Sequence, residues 1–269
     1  MLVIGESINA SNRSVAEAIA RRDREFVASL ARAEADAGAD FIDINSSIKN
    51  GSPEYEAETM EWLVEVVQGA TDKPLAIDSE VASLIEAGLG KYQGKRLIIN
   101  SVTAEPERLA SIGSIAVEHH AWLVALAMGT KGVPTTVEER LDACEQIMAH
   151  LTGLGLKAEQ IFFDPLILPI AVDSTQGIIT LKTMEQIKSR YPGVNTVLGL
   201  SNISYGLPCR KLVNRAFLLM AAYTGLDAVI LNPLDNKMMS LIKVADMLTG
   251  KDASCRGYMR AHQKGTLVD

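Results

Sequence analysis

The chain predicts a (β/α)₈ barrel, an α/β fold, and three observations predict it. Short apolar runs alternate with amphipathic stretches about eight times over 269 residues, a length and count that match such a barrel. No Gly-, Ser- or Pro-rich linker interrupts the alternation, so one domain spanning 1–269 is expected. Apolar content is 48% with only 5% aromatics, which suits a parallel sheet of Val, Ile, Leu and Ala wrapped by helices. A doubly wound open sheet is the alternative. Its phosphate fingerprint is missing: no GxGxxG follows the first strand, and no GxxxxGK[ST] occurs anywhere.

The elements follow in order. Leu2-Val3-Ile4 reads as the first strand, closed by Gly5-Glu6-Ser7-Ile8-Asn9. Helical spacing predicts a helix from Arg24 to Ala37, stopped by Gly38. Phe41 to Ile44 is the second strand, and a polar segment from Ser46 to Pro53 precedes a helix over Glu56 to Gln68. Pro74 introduces a third strand ending at Asp78, with a helix over Ser83 to Leu89. A fourth strand runs from Arg96 to Asn100, then a helix from Glu105 to Glu118. Trp122 to Ala127 is the fifth strand, followed by a loop over Met128 to Pro134 and a long helix from Val137 to Leu154. Strands at Ile161–Phe163, Thr196–Leu200 and Ala228–Leu231 alternate with helices at Ile178–Arg190, Leu212–Thr224 and Leu234–Leu248. Residues 250–269 read as a polar C-terminal tail.

Bulk properties narrow the function. A net charge of −7 and a pI near 5.2 argue against nucleic acid, whose binders need a basic face. Cys144, Cys209 and Cys255 are scattered, with no CxxC or Cys/His cluster, so neither a disulfide framework nor a zinc site is indicated. No apolar run reaches membrane-spanning length, and the N-terminus lacks signal-peptide features. A cytoplasmic protein without membrane contact is expected.

The strand tips carry the chemistry. Phe162-Phe163-Asp164-Pro165 is an apolar run that reaches a carboxylate and is then barred by proline from continuing as a strand. Phe41-Ile42-Asp43-Ile44-Asn45, Leu75-Ala76-Ile77-Asp78-Ser79, Leu97-Ile98-Ile99-Asn100-Ser101 and Leu198-Gly199-Leu200-Ser201-Asn202 share that grammar. In a parallel barrel such tips face the mouth where chemistry is done. Glu6, Asn9, Asp43, Asn45, Asp78, Asn100, Asp164 and Asn202 all belong to that side.

Other constellations are weaker. His119 and His120 precede the fifth strand, His150 lies in a helix and His262 in the tail, so no histidine-based triad has members. Lys95 and Lys131 are misplaced for a Schiff base. Asp43, Asp78 and Asp164 offer oxygen ligands, but without histidines or a tight acidic cluster no metal is expected. Three carboxylates with several amides suit a flat, uncharged heterocycle presenting N–H donors on one edge. One such Asp or Asn alone is more simply a loop cap; five similar strand ends argue otherwise.

Gly5-Glu6-Ser7-Ile8-Asn9, Ile77-Asp78-Ser79, Ile99-Asn100-Ser101, Asp164-Pro165-Leu166-Ile167-Leu168-Pro169 and Gly199-Leu200-Ser201-Asn202-Ile203-Ser204 resemble the methyltetrahydrofolate:corrinoid methyltransferases. These are pterin-binding barrels related to the folate domain of cobalamin-dependent methionine synthase. The resemblance runs in order from Met1 to about Leu248. It implies methyl transfer, in either direction, between N5 of tetrahydrofolate and the cobalt of a corrinoid (cobalamin) carried by a partner protein. It also implies that Asp78, Asn100 and Asp164 hold the pterin edge and that Asn202 lies near N5, with Asn202 and Asp164 as the catalytic pair. Glu6 and Asp43 are further candidate pterin contacts. Arg210 and Lys211 are candidates for the folate tail or the corrinoid protein. Relatives are commonly homodimers, so a homodimer is expected. The chain departs from the family at Ser7, where relatives often have Arg, and at Gly129, where they carry Asn after the Met. The Asn-Val-Thr-Pro and Ser-Phe-Lys stretches of dihydropteroate synthases are absent. That related enzyme, a metal-dependent barrel lyase and a non-catalytic pterin- or corrinoid-protein-binding module are the alternatives.

Overall fold

Eight parallel strands close on themselves in chain order: β1 (Leu2–Asn9), β2 (Phe41–Asn45), β3 (Leu75–Asp78), β4 (Leu97–Val102), β5 (Trp122–Leu126), β6 (Ile161–Asp164), β7 (Asn195–Gly199) and β8 (Ala228–Leu231). Each pairs with the next, and β8 returns to β1. The computed structural model describes residues 1–10, 12–47 and 51–268. Residues 48–50, within the polar segment expected before the third helix, lie outside the described residues, as does the last residue of the tail.

The helices surround the strands: α1 (Arg13–Ala20), α2 (Arg24–Asp36), α3 (Pro53–Ala70), α4 (Ala82–Lys91), α5 (Pro106–Glu118), α6 (Val137–Gly153), α7 (Gln176–Arg190), α8 (Arg210–Thr224), α9 (Asn236–Leu248) and α10 (Arg256–Gln263). Their starts follow capping chemistry. Asp23, Ser52 and Asp235 each accept a backbone N–H in the first turn of α2, α3 and α9, and Thr136 with Glu139 forms a reciprocal capping box on α6. Each such cap contributes on the order of 1 kcal/mol.

Alternation along the strands divides the core in two. Inside the barrel lie Ile4, Phe41, Ala76, Ile98, Val124, Phe162, Val197 and Ala228. Outside, Ile42, Ile44, Leu75, Ile77, Ile99, Leu123, Ile161 and Phe163 pack beneath the helices. The floor is aromatic: Trp122 lies 5.6 Å from Phe41 and 5.2 Å from Phe162 between ring centroids. The Arg96 guanidinium covers Phe41 and Trp122 at 5.0 Å from each, favourable by roughly 0.5–1 kcal/mol per contact.

Three expectations need correction. The first strand does not stop at Ile4. It continues to Asn9 through a register shift between Gly5 and Ile8, because a bulge lets a Gly-containing stretch stay paired. A helix, α1, follows it unannounced; Asn12 caps it, and Val15, Ala18 and Ile19 form its buried stripe. The C-terminal tail is also partly structured. Its α10 packs on α9, with Asp252 accepting the N–H groups of Gly257 and Tyr258. No helix among the described residues is long and apolar enough to cross a membrane.

Candidate functional site

Register brings the expected tips together. Asn45, Asp78 and Asn100 are successive Cα partners on β2, β3 and β4. The Asn45 amide donates to Asp78 Oδ2 at 2.8 Å, and the Asn100 amide reaches past β3 to Asp43 Oδ1 at 3.2 Å. Asp43 is 3% exposed. Burial carries its carboxyl well above the ordinary range and Asp78 pushes the same way, while Asn100 opposes. Asp78 is also raised by burial, against hydrogen bonds from Asn45 and Asp43. Two enclosed carboxyls in contact cannot both ionise cheaply, so the pair is best satisfied by one shared proton.

Asp164 ends β6, one rung beside the apolar Leu126 of β5. Burial pushes its carboxyl up to about 6; the N–H groups of Leu166 and Gly199 and the charge of Arg140 pull it down. The Leu166 amide donates to Asp164 Oδ1 at 2.8 Å. Gly199 ends β7 beside both Asp164 and Asn202. Its N–H holds Asp164, and its α-carbon lies beside Asn202, since a Cβ there would come 3.4 Å from Asn202 Nδ2, within van der Waals contact. Asn202 sits exposed on a 3₁₀ turn, Leu200–Ser204, that caps β7.

Glu6 is raised by burial and lowered by Arg210. It lines a cavity of ≈ 200 Å³ with Ser201, Lys211, Asn214 and Asn232. Arg210 is engaged with its own loop, donating to Ser204 Oγ at 3.0 Å and Ser201 O at 2.7 Å and lying over the Tyr205 ring. Lys211, 77% exposed at its side chain, lies 3.7 Å from Asp235, which Arg215 already holds at 2.7 Å. The structure thus gathers Glu6, Asp43, Asp78, Asn100 and Asp164 at one end of the barrel, with Asn202, Arg210 and Lys211 on the loop and helix after β7.

Two buried charged groups near this end were missed. Glu34 of α2 is fully buried, accepts the Ser7 N–H at 2.9 Å, and is pushed up to about 7 by burial. Arg140 of α6 is also fully buried. Both signals were present in the pattern: Glu34 continues the buried stripe of Val27 and Ala31, and Arg140 begins that of Cys144, Ile147 and Leu151. A charge at a core position of an amphipathic helix asks for a reason. Ser7, where relatives often carry Arg, is the residue whose amide Glu34 holds. Gly129, the other departure, pairs with Gly132 in a tight bridge. Among the described residues, no three His, Cys, Asp or Glu side chains gather as a metal ion would require.

The convergent tips are thus a set of acceptors and amides over an apolar floor, able to grip a flat ring by its N–H edge. Known proteins place them in context. Dihydropteroate synthase from Coxiella burnetii in complex with pteroic acid superposes with a TM-score of 0.72 at 14% identity, covering 93% of this chain and 94% of that one. The enzyme from Vibrio fischeri gives 0.70 at 18%, with 92% of each chain covered. At that identity the likeness shows the fold. Sequence goes further. The methylcorrinoid:tetrahydrofolate methyltransferase of Eubacterium limosum is 31% identical over 271 residues, covering 99% of this chain and 98% of that protein. The methionine synthase of Mycobacterium tuberculosis is 31% identical over 247 residues, 86% of this chain but 20% of that protein. Residues 5–232, from the β1 bulge to the end of the barrel, match the family described as pterin binding enzyme, and to that family the chain belongs.

Proposed function

We propose that the chain is a methyltransferase that moves a methyl group between N5 of tetrahydrofolate and the cobalt of a corrinoid carried by a separate protein. The observation that carries this reading is end-to-end similarity to the Eubacterium limosum methyltransferase, in a chain that carries Asp78, Asn100 and Asp164 on β3, β4 and β6. The donor set fits a reduced pterin: carboxylates of Asp78 and Asp164 accept from ring N–H groups, with Glu6, Asp43 and Asn100 completing the wall. The corrinoid is a substrate delivered at the open mouth, and its low-valent cobalt supplies the nucleophile.

The chain's own contribution is alignment and polarity. As the carbon–nitrogen bond breaks, its electron pair stays on N5 and the methyl passes to cobalt; a hydrogen bond or proton must meet that pair. Asn202, exposed on the turn after β7, is the amide to which this reading gives that hydrogen bond. The stabilisation grows along the reaction, so it acts on rate more than on affinity. Asn202→Ala is therefore expected to slow transfer about 10²-fold with a much smaller change in folate affinity. Equal losses in single-turnover rate and in folate Kd would remove Asn202 from that role.

The assay for the whole reading mixes the protein with methyltetrahydrofolate and cob(I)alamin under reducing, oxygen-free conditions, and then runs the reverse reaction. Methylcobalamin absorbance, or its loss in reverse, is the expected result; silence both ways with tight folate binding would favour a binding module without turnover. Dihydropteroate synthesis is supported by fold alone and remains the second reading. A homodimer and a cytoplasmic site complete the proposal, the first checked by sedimentation.

A further inference from the structure

Arg140 lies outside the barrel, yet it is fully buried and no carboxylate lies within ion-pairing distance of it among the described residues. Its guanidinium donates instead to the Leu166 carbonyl at 3.0 Å, to Thr180 Oγ1 at 3.2 Å and to Gln176 Oε1 at 2.8 Å. Thr180 Oγ1 donates to the same Leu166 carbonyl at 2.8 Å. Thr180 and Gln176 are themselves buried, and Gln176 is anchored to Thr135 and Asp173. Two side chains, Arg140 of α6 and Thr180 of α7, thus converge on one backbone oxygen, and Gln176 braces the Arg140 guanidinium from α7.

That oxygen belongs to an unusual residue. Leu166 has φ of 64°, a left-handed conformation that a branched side chain adopts only when its surroundings hold it there. Its N–H, on the other side of the residue, is the group that grips Asp164 Oδ1. Proline on both sides of the turn, at Pro165 and Pro169, leaves few other backbone donors in the segment.

We propose that Arg140 is a positioning residue for Asp164, clamping the left-handed turn at Leu166 from outside the barrel so that the Leu166 N–H and the Asp164 carboxylate stay aimed into the folate site. The inference rests on the reading of the cup as a folate site. The charge serves the same end. Arg140 is the charged side chain that acts on Asp164; β5 presents Leu126, β7 the Gly199 backbone, and the other acids of the cup lie on β1–β3. A buried cation without an ion-pair partner is costly unless a nearby carboxylate uses its field, and here that carboxylate is Asp164.

The test has two arms. In the folate-free protein, the Asp164 carboxyl is titrated by ¹³C NMR. Arg140→Gln is expected to move its midpoint upward by about half a pH unit or more, because a neighbouring positive charge favours the ionised form. In the second arm, tetrahydrofolate binding is measured across pH. Arg140→Gln is expected to weaken it about tenfold at pH 7 and to shift the acid limb upward. In an Asp164→Asn background the same substitution should leave that limb unmoved. Arg140→Lys keeps the charge without the fork, so it should hold the midpoint near the wild type while affinity falls. It also serves if Arg140→Gln fails to fold. A folded Arg140 variant with wild-type midpoint and wild-type affinity overturns the proposal. Wild-type protein that binds no folate at any pH overturns the folate reading instead, and the NMR arm still decides whether Arg140 governs Asp164.

Discussion

Glu34 is a carboxylate enclosed between α2 and β1 and pushed up to about 7 by burial. A carboxyl raised on folding binds more protons in the native than in the unfolded chain between its ordinary value and its raised one. Its effect on stability is therefore unfavourable as pH rises through that window and complete above it. A shift from 4.5 to about 7 corresponds to a few kcal/mol, roughly 3 at 1.36 per unit. Glu34→Gln keeps an oxygen for the Ser7 amide and removes the titration. It is expected to leave stability similar near pH 4.5 and to raise it above pH 7 by up to about 3 kcal/mol, read from urea unfolding at the two pH values. A variant that loses stability equally at both would show that the carboxylate itself is wanted. Asp78 and Asp164 were legible in the chain because each ends an apolar run at the last residue of its strand, while Asp43 and Asn100 turn out to lie within β2 and β4. Glu34 and Arg140 act from the outer layer through backbone groups: their places in the buried stripes of α2 and α6 mark them as charged core residues, but nothing local in the sequence names the backbone group each one meets.

At the scale of elements, β1 shows how a helix reshapes a strand. Gly5 faces α2, and a Cβ there would sit 2.7 Å from the Glu34 carboxylate. The missing side chain lets Glu34 approach and hold Ser7 at the register shift that precedes Ile8. The strand alternation and most helix spans were legible because period and capping coincide. The continuation of β1 was not, since a bulge breaks the period that reveals a strand, and α1 at eight residues is too short to show one. Gly5→Ala is expected to destabilise by about 1–3 kcal/mol through overpacking. The same change in a Glu34→Ala chain should cost clearly less than in the wild type, a coupling that a double-mutant cycle by chemical denaturation measures. Additive costs would mean that the strand, not Glu34, rejects the methyl group.

At the scale of the molecule, a closed barrel with its polar tips at one end leaves the chemistry open to a second macromolecule. On the proposed reading the folate edge is gripped from β3, β4 and β6, whereas Asn202, Arg210 and Lys211 ride on the turn after β7 and on α8. Arg210 is tied into its own loop, which leaves Lys211, of the two, as the cation with reach. Its ion pair with Asp235 is long, and Arg215 secures that aspartate without it. Lys211 is thus better suited to steering a protein-borne corrinoid than to bracing the barrel. Lys211→Glu is expected to lower kcat/KM for the corrinoid protein by about tenfold at low salt, with much of the difference removed near 0.5 M salt, where screening shortens to a few ångströms. The loss with free cobalamin should be distinctly smaller. If instead the folate KM rises equally with either corrinoid, Lys211 meets the folate tail, and the docking face must be sought on the other side of the mouth.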